Sequence, residues 1–115
     1  MKKFTKTVAV LMTCLTIALV LTACIPSGAT NAAEKMSNAG YRVTINSDPS
    51  EKGATSKIIA IKGKDSLTAT WYETANLAQE SKEEAQTVLG KAYILKVDGK
   101  CFYYGTEQGI KDFEA

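Results

Sequence analysis

The feature that most constrains this chain is an apolar run at residues 8–21, preceded by Lys2, Lys3 and Lys6 and closed by Leu21-Thr22-Ala23-Cys24. The run is short for a bilayer-spanning helix, which needs about 20 residues. A positive start, a short apolar stretch and small residues at its end form the layout of a signal peptide, here cut between Ala23 and Cys24. Removing 23 of the 115 residues leaves 92 to fold, enough for a single small domain with one core. The cut also takes three lysines from a balance of 14 Lys+Arg against 12 Asp+Glu, so 11 face 12 and the remaining charge is −1. A near-neutral domain whose one arginine is Arg42 lacks the summed positive field of a nucleic-acid binder. The absence of histidine removes the Ser-His and Cys-His nucleophile pairs, His-ligated zinc and the usual general base near neutral pH.

Leu21-Thr22-Ala23-Cys24, placed directly after a charged and an apolar region, resembles the lipobox of bacterial lipoproteins. The resemblance implies that Cys24 receives diacylglycerol on sulfur and becomes the first residue after cleavage, so that the protein is held outside the cytoplasm by acyl chains. A thiolate suits that alkylation, and two chains anchor where one binds reversibly. The resemblance covers the first fifth of the chain. At the other end, Gly105-Thr106-Glu107-Gln108-Gly109-Ile110-Lys111-Asp112-Phe113 after an aromatic strand is similar to the ends of small uncharacterised bacterial lipoproteins, from which no functional residue carries over.

Residues 24–30, rich in small residues with Pro26 and Gly28, read as a flexible lipidated tether, and residues 31–115 as the folded domain. Asn31 with Glu34 matches a capping box for a first helix ending at Gly40. Tyr41, Val43 and Ile45 alternate with polar residues, predicting a first strand. Ile58-Ile59-Ala60-Ile61 is apolar on both faces and reads as a strand near the sheet centre. A turn at residues 63–66 leads into Leu67, Ala69 and Trp71 alternating with Thr68, Thr70 and Tyr72. A main helix follows, starting at Thr74 or at Ser81, with Ala78, Ala85, Val88 and Leu89 on one face and Gly90 as its stop. Asp98-Gly99 suits a two-residue hairpin turn between two further strands, and Thr106 can cap a last helix with Ile110 and Phe113 inward. The expected fold is α+β, order α-β-β-β-α-β-β-α, with an antiparallel sheet of about five strands and helices packed on one face.

Chemistry-bearing candidates are few. Gly63-Lys64 lacks the upstream glycine of a phosphate loop, because that position is Ile58. The clusters Glu80, Lys82, Glu83, Glu84 and Asp112, Glu114 read as solvated helix faces, not metal sites. Once Cys14 leaves and Cys24 is acylated, Cys101 is an odd thiol. With a turn at Asp98-Gly99, Lys96 lies opposite Cys101 and favours its thiolate. In that register Ile94, Lys96 and Tyr103 form an apolar surface patch suited to a partner or to stacking on a glycan, unless a helix covers it. The sequence therefore predicts a noncatalytic binding or interaction module, monomeric and without metal or cofactor. Its lipid on Cys24 tethers it to the membrane, and its partner is an envelope protein or a glycan. An envelope enzyme or redox partner acting through Cys101 is the alternative.

Overall fold

In the computed structural model, which describes residues 25–115, alternation along one strand sorts the domain into layers on either side of a sheet. In that strand, β3 (Asp65–Tyr72), Leu67, Ala69 and Trp71 go to one face and Thr68, Thr70 and Tyr72 to the other, and all six are buried. A strand buried on both sides belongs in the middle. The sheet order is β1-β2-β3-β5-β4, with every neighbouring pair antiparallel. Along the chain the elements are α1 (Ala29–Asn38), β1 (Arg42–Asn46), β2 (Ala54–Lys62), β3, α2 (Ala75–Leu89), β4 (Ile94–Asp98), β5 (Cys101–Gly105) and α3 (Glu107–Glu114). The expected α+β class, single domain and element order are all present.

The helices do not share one face. α1 and α3 press Ala32, Met36, Ile110 and Phe113 onto Ile58, Leu67, Ala69, Trp71, Cys101 and Tyr103. On the opposite face α2 brings Leu77, Ala78 and Ala85 over Tyr72, Phe102, Tyr104, Leu95 and Val97. The reason lies in β3 and β5, which carry large side chains on both sides, Trp71 opposite Tyr72 and Tyr103 opposite Phe102, and so are covered on both. α2 lies over β3, β5 and β4, which leaves the β1–β2 half of its face open. Ile59 is consequently 40% exposed and Ile61 is exposed as well, so the isoleucine run marks the second strand of the sheet and not its centre. Val88 likewise points away from the sheet into solvent.

Helix starts follow local hydrogen bonding. α1 begins at Ala29, two residues before the expected Asn31 cap, and Asn31 Nδ2 instead donates to Ser27 Oγ at 3.1 Å. Order extends further back, because Ile25 packs against the core. Ala29, read as part of the tether, serves close packing instead: with Ala32 it is buried and lets α1 lie near the sheet. Thr74 caps α2, accepting from the Leu77 N–H at 3.2 Å, which places Ser81 inside that helix. Thr106 caps α3 and uses its whole hydroxyl, accepting from the Gly109 N–H at 3.3 Å and the Ser66 N–H at 3.1 Å while donating to Asp65 Oδ1 at 3.1 Å. A Cβ on Gly109 would lie 2.1 Å from the Ser66 carbonyl oxygen, so glycine there permits the start of α3 to seat on the start of β3.

The β4–β5 turn corrects one register. Asp98 pairs with Cys101 and Lys96 with Tyr103, so the loop residues are Gly99 and Lys100. Gly99 takes φ 60°, the positive angle that a two-residue hairpin demands at its first loop position. The shift is by two residues in pairing. Face assignments from the sequence survive it, whereas the residue opposite Cys101 changes from a lysine to an aspartate.

Candidate functional site

A cleft of about 300 Å³ lies between α2 and the sheet face it covers. Its floor is set by strand pairing: Thr68 stands beside Tyr104 and Thr70 beside Phe102, a column of hydroxyls next to a column of rings. The Phe102 and Tyr104 rings are 5.7 Å apart between centroids and tilted by 35°. Ala85, Leu89, Ser81 and Glu84 of α2 form the opposite wall. Lys57 and Glu51 also line it, paired at 2.5 Å. Burial acts to raise the Glu51 carboxyl, but hydrogen bonds from Lys57 and the backbone more than offset it and hold the group below its usual range. Tyr72 is buried next to Ser81, and burial pushes its phenol up.

The threonines are the unusual members. Thr70 is 4% exposed and Thr68 is 9% exposed, yet neither hydroxyl has a hydrogen-bond partner among the described residues. Buried polar atoms nearly always have partners, and those that lack one in the protein are met by water or by a ligand. Sequence reading placed Thr68 and Thr70 correctly on the face away from Leu67 but saw no site in them. The signal was present as Thr-x-Thr on one strand and an aromatic pair on another. What joins them is the placement of α2, a tertiary fact.

Cys101 is buried in the other layer, against the core beneath α1 and α3. Burial, and then the charge of Asp98, push its thiol up to about 12, so at neutral pH it is protonated. The expected activation by Lys96 fails because the register puts Asp98 opposite Cys101. Lys96 instead donates to Glu114 Oε2 at 2.8 Å, and Tyr103 donates to the same oxygen at 2.6 Å.

The expected patch of Ile94, Lys96 and Tyr103 is not a surface patch either. Tyr103 is 2% exposed under α3, with its ring 4.9 Å from that of Phe113, and only Ile94 of the apolar pair is exposed. Asp112 and Glu114, read as a solvated face, serve buried phenols: Tyr41 donates to Asp112 Oδ2 at 2.7 Å, matching the Tyr103–Glu114 pair. Asp112 and Glu114, flanking the apolar stripe of α3, thus reach the tyrosine hydroxyls at its edges. Burial, together with a carboxylate acceptor, raises both phenols well above their ordinary value.

A second depression, open and about 730 Å³, lies at one end of the sheet between residues 25–28 and Thr55, Trp71, Asp98 and Lys100. The expected cleavage and acylation site, Ala23 and Cys24, lies outside the described residues and immediately precedes this groove. Among the described residues no cluster of His, Cys, Asp and Glu could hold a metal ion, and no helix is long and apolar enough to cross a membrane. Comparison of the chain with family models, curated proteins and solved structures finds no match.

Proposed function

We propose that this chain is a lipoprotein of the bacterial cell envelope, attached outside the cytoplasm through a lipid on Cys24, and that its domain is a noncatalytic binding module. The observation that carries the reading is Leu21-Thr22-Ala23-Cys24 closing a lysine-led apolar run. The packing of Ile25 gives it a geometric consequence. With the acylated residue followed at once by a residue seated on the core, the domain rests against the bilayer instead of swinging on a long tether, and the groove at residues 25–28 faces the lipid. A protonated, buried Cys101 favours binding over thiol chemistry. Partners are then an envelope protein or a glycan met by a monomeric domain.

Intact-mass analysis of the membrane fraction tests the anchor. The expected product begins at Cys24 and carries the mass of a diacylglyceryl thioether, and Cys24→Ala should accumulate unprocessed. Normal processing and membrane retention of Cys24→Ala would overturn the lipoprotein reading. Crosslinking in intact cells tests the module, which is expected to be captured with an envelope partner.

A further inference from the structure

We propose that the cleft between α2 and the sheet binds one neutral sugar or polyol ring. The proposal rests on the binding-module reading and gives that module a ligand class. Its basis is the pair of buried hydroxyls, Thr68 and Thr70, that line the cleft without a hydrogen-bond partner among the described residues. Two residues along a strand separate them by about 7 Å, the span of a single six-membered ring with polar groups at both ends. A threonine hydroxyl both donates and accepts, as a sugar hydroxyl does, so each can meet the ligand without a fixed charge on either side. Beside them Phe102 and Tyr104 offer ring faces and edges for the C–H surface of such a ring, which is apolar on its faces and polar around its rim.

The lining excludes other classes. An anion would meet Glu51 and Glu84, and the lining's one cation, Lys57, is already paired with Glu51. A pure hydrocarbon would leave both threonines dry, at the full cost of two unsatisfied polar groups. The volume of about 300 Å³ stands at the low end for ligand sites, which admits one ring and not a folded chain of them.

The test is nuclear magnetic resonance titration of the isotope-labelled full chain with D-glucose and N-acetylglucosamine, using choline as a cationic comparison. The expected result is saturable shifts confined to amides of residues 68–70, 81–89 and 102–104, with a dissociation constant in the millimolar range usual for so small a ligand. Thr70→Val keeps the side-chain shape and should weaken binding roughly tenfold, while Thr44→Val, on the part of the same sheet face that α2 leaves open, should leave it unchanged. Absence of saturable shifts with both sugars would overturn the proposal and show a merely hydrated cleft. Equal binding in Thr70→Val, or choline shifting the same residues more tightly than either sugar, would overturn it as well. Sugar binding failing while Cys24-dependent retention and partner capture persist would sink this ligand and leave the binding module standing. Loss of partner capture with sugar binding intact would do the reverse.

Discussion

The two faces of β3 differ in what they leave unfinished. Under α1 and α3, each buried phenol has a partner: Tyr41 meets Asp112, and Tyr103 meets Glu114, which Lys96 also holds. Lys35 of α1 donates to the carbonyls of Phe113 and Ala115, tying the first helix to the last. Under α2, one residue away along the same strand, two threonine hydroxyls line a cavity with no partner among the described residues. A face whose buried phenols are both satisfied and whose rings are in contact is arranged for stability. A face that keeps both empty volume and hydrogen-bonding capacity has given up some stability, which is the usual mark of a place where something else binds.

The comparison breaks most readily on the closed face. Phe113 is fully buried and touches the rings of Trp71 and Tyr103. Phe113→Ala should cost about 3–5 kcal/mol, read as a fall in the denaturation midpoint. For a domain of this size that is much of its total stability. A loss under about 1 kcal/mol would show that this layer is looser than its packing indicates.

A smaller effect is expected at the hydroxyl that Tyr103 presents to Glu114. Tyr103→Phe leaves the ring and removes one hydrogen bond to a charged acceptor, a loss of about 1.5–3 kcal/mol. The change should also appear in the pH dependence. Burial acts to raise Glu114, but Lys96 and Tyr103 more than offset it and hold its carboxyl below the ordinary 4.5. A carboxyl depressed in the folded state contributes stability that is fully present above its unfolded pKa and is lost as pH falls through its folded one. Stability should therefore decline on acidification from about pH 4.5 downward, and Tyr103→Phe should flatten that decline. An unchanged acid limb would place the linkage elsewhere.

The smallest effect belongs to the cleft. Thr70→Val replaces an unpartnered hydroxyl with a methyl of similar size. It should be neutral or stabilising by up to about 1 kcal/mol in thermal unfolding without ligand. A loss above about 1 kcal/mol would mean that the hydroxyl is already satisfied and that the two faces are less different than they look.

These positions also mark how far the sequence could be read. Strand and helix order followed from alternation, caps and turns, because each signal acts over three or four residues. Thr106 was identifiable as a cap, Thr74 as one of two possible starts of α2, and Ile110 and Phe113 as inward-facing, for that reason. Apart from the Asn31 cap, which Gly28 replaces, most of what failed depended on distance. The side of the sheet taken by α2 is set by β5, 12 or more residues away, so the cleft was out of reach, whereas the helix cover found over Tyr103 was the alternative that the sequence left open to a surface patch. Cys101 failed for a different reason: a hairpin register displaced by two residues keeps every face correct and still exchanges an ammonium for a carboxylate beside the thiol. Asp112 and Glu114 resembled a solvated face because nothing local distinguishes a carboxylate in water from one awaiting a tyrosine 71 or 11 residues back.

The clasp between Lys35 and the end of α3 sets a condition on timing. Among the described elements α1 is synthesised before the others and α3 after them, and the layer they share cannot close until both are present. Every strand can therefore be made while the apolar side that carries Leu67, Ala69 and Trp71 is still bare. Contacts across nearly the whole domain complete the core late and slow its formation. Until that layer closes, the bare side of β3 is open to non-native partners, so the clasp between Lys35 and the end of α3 also ends the period in which the domain is prone to aggregate.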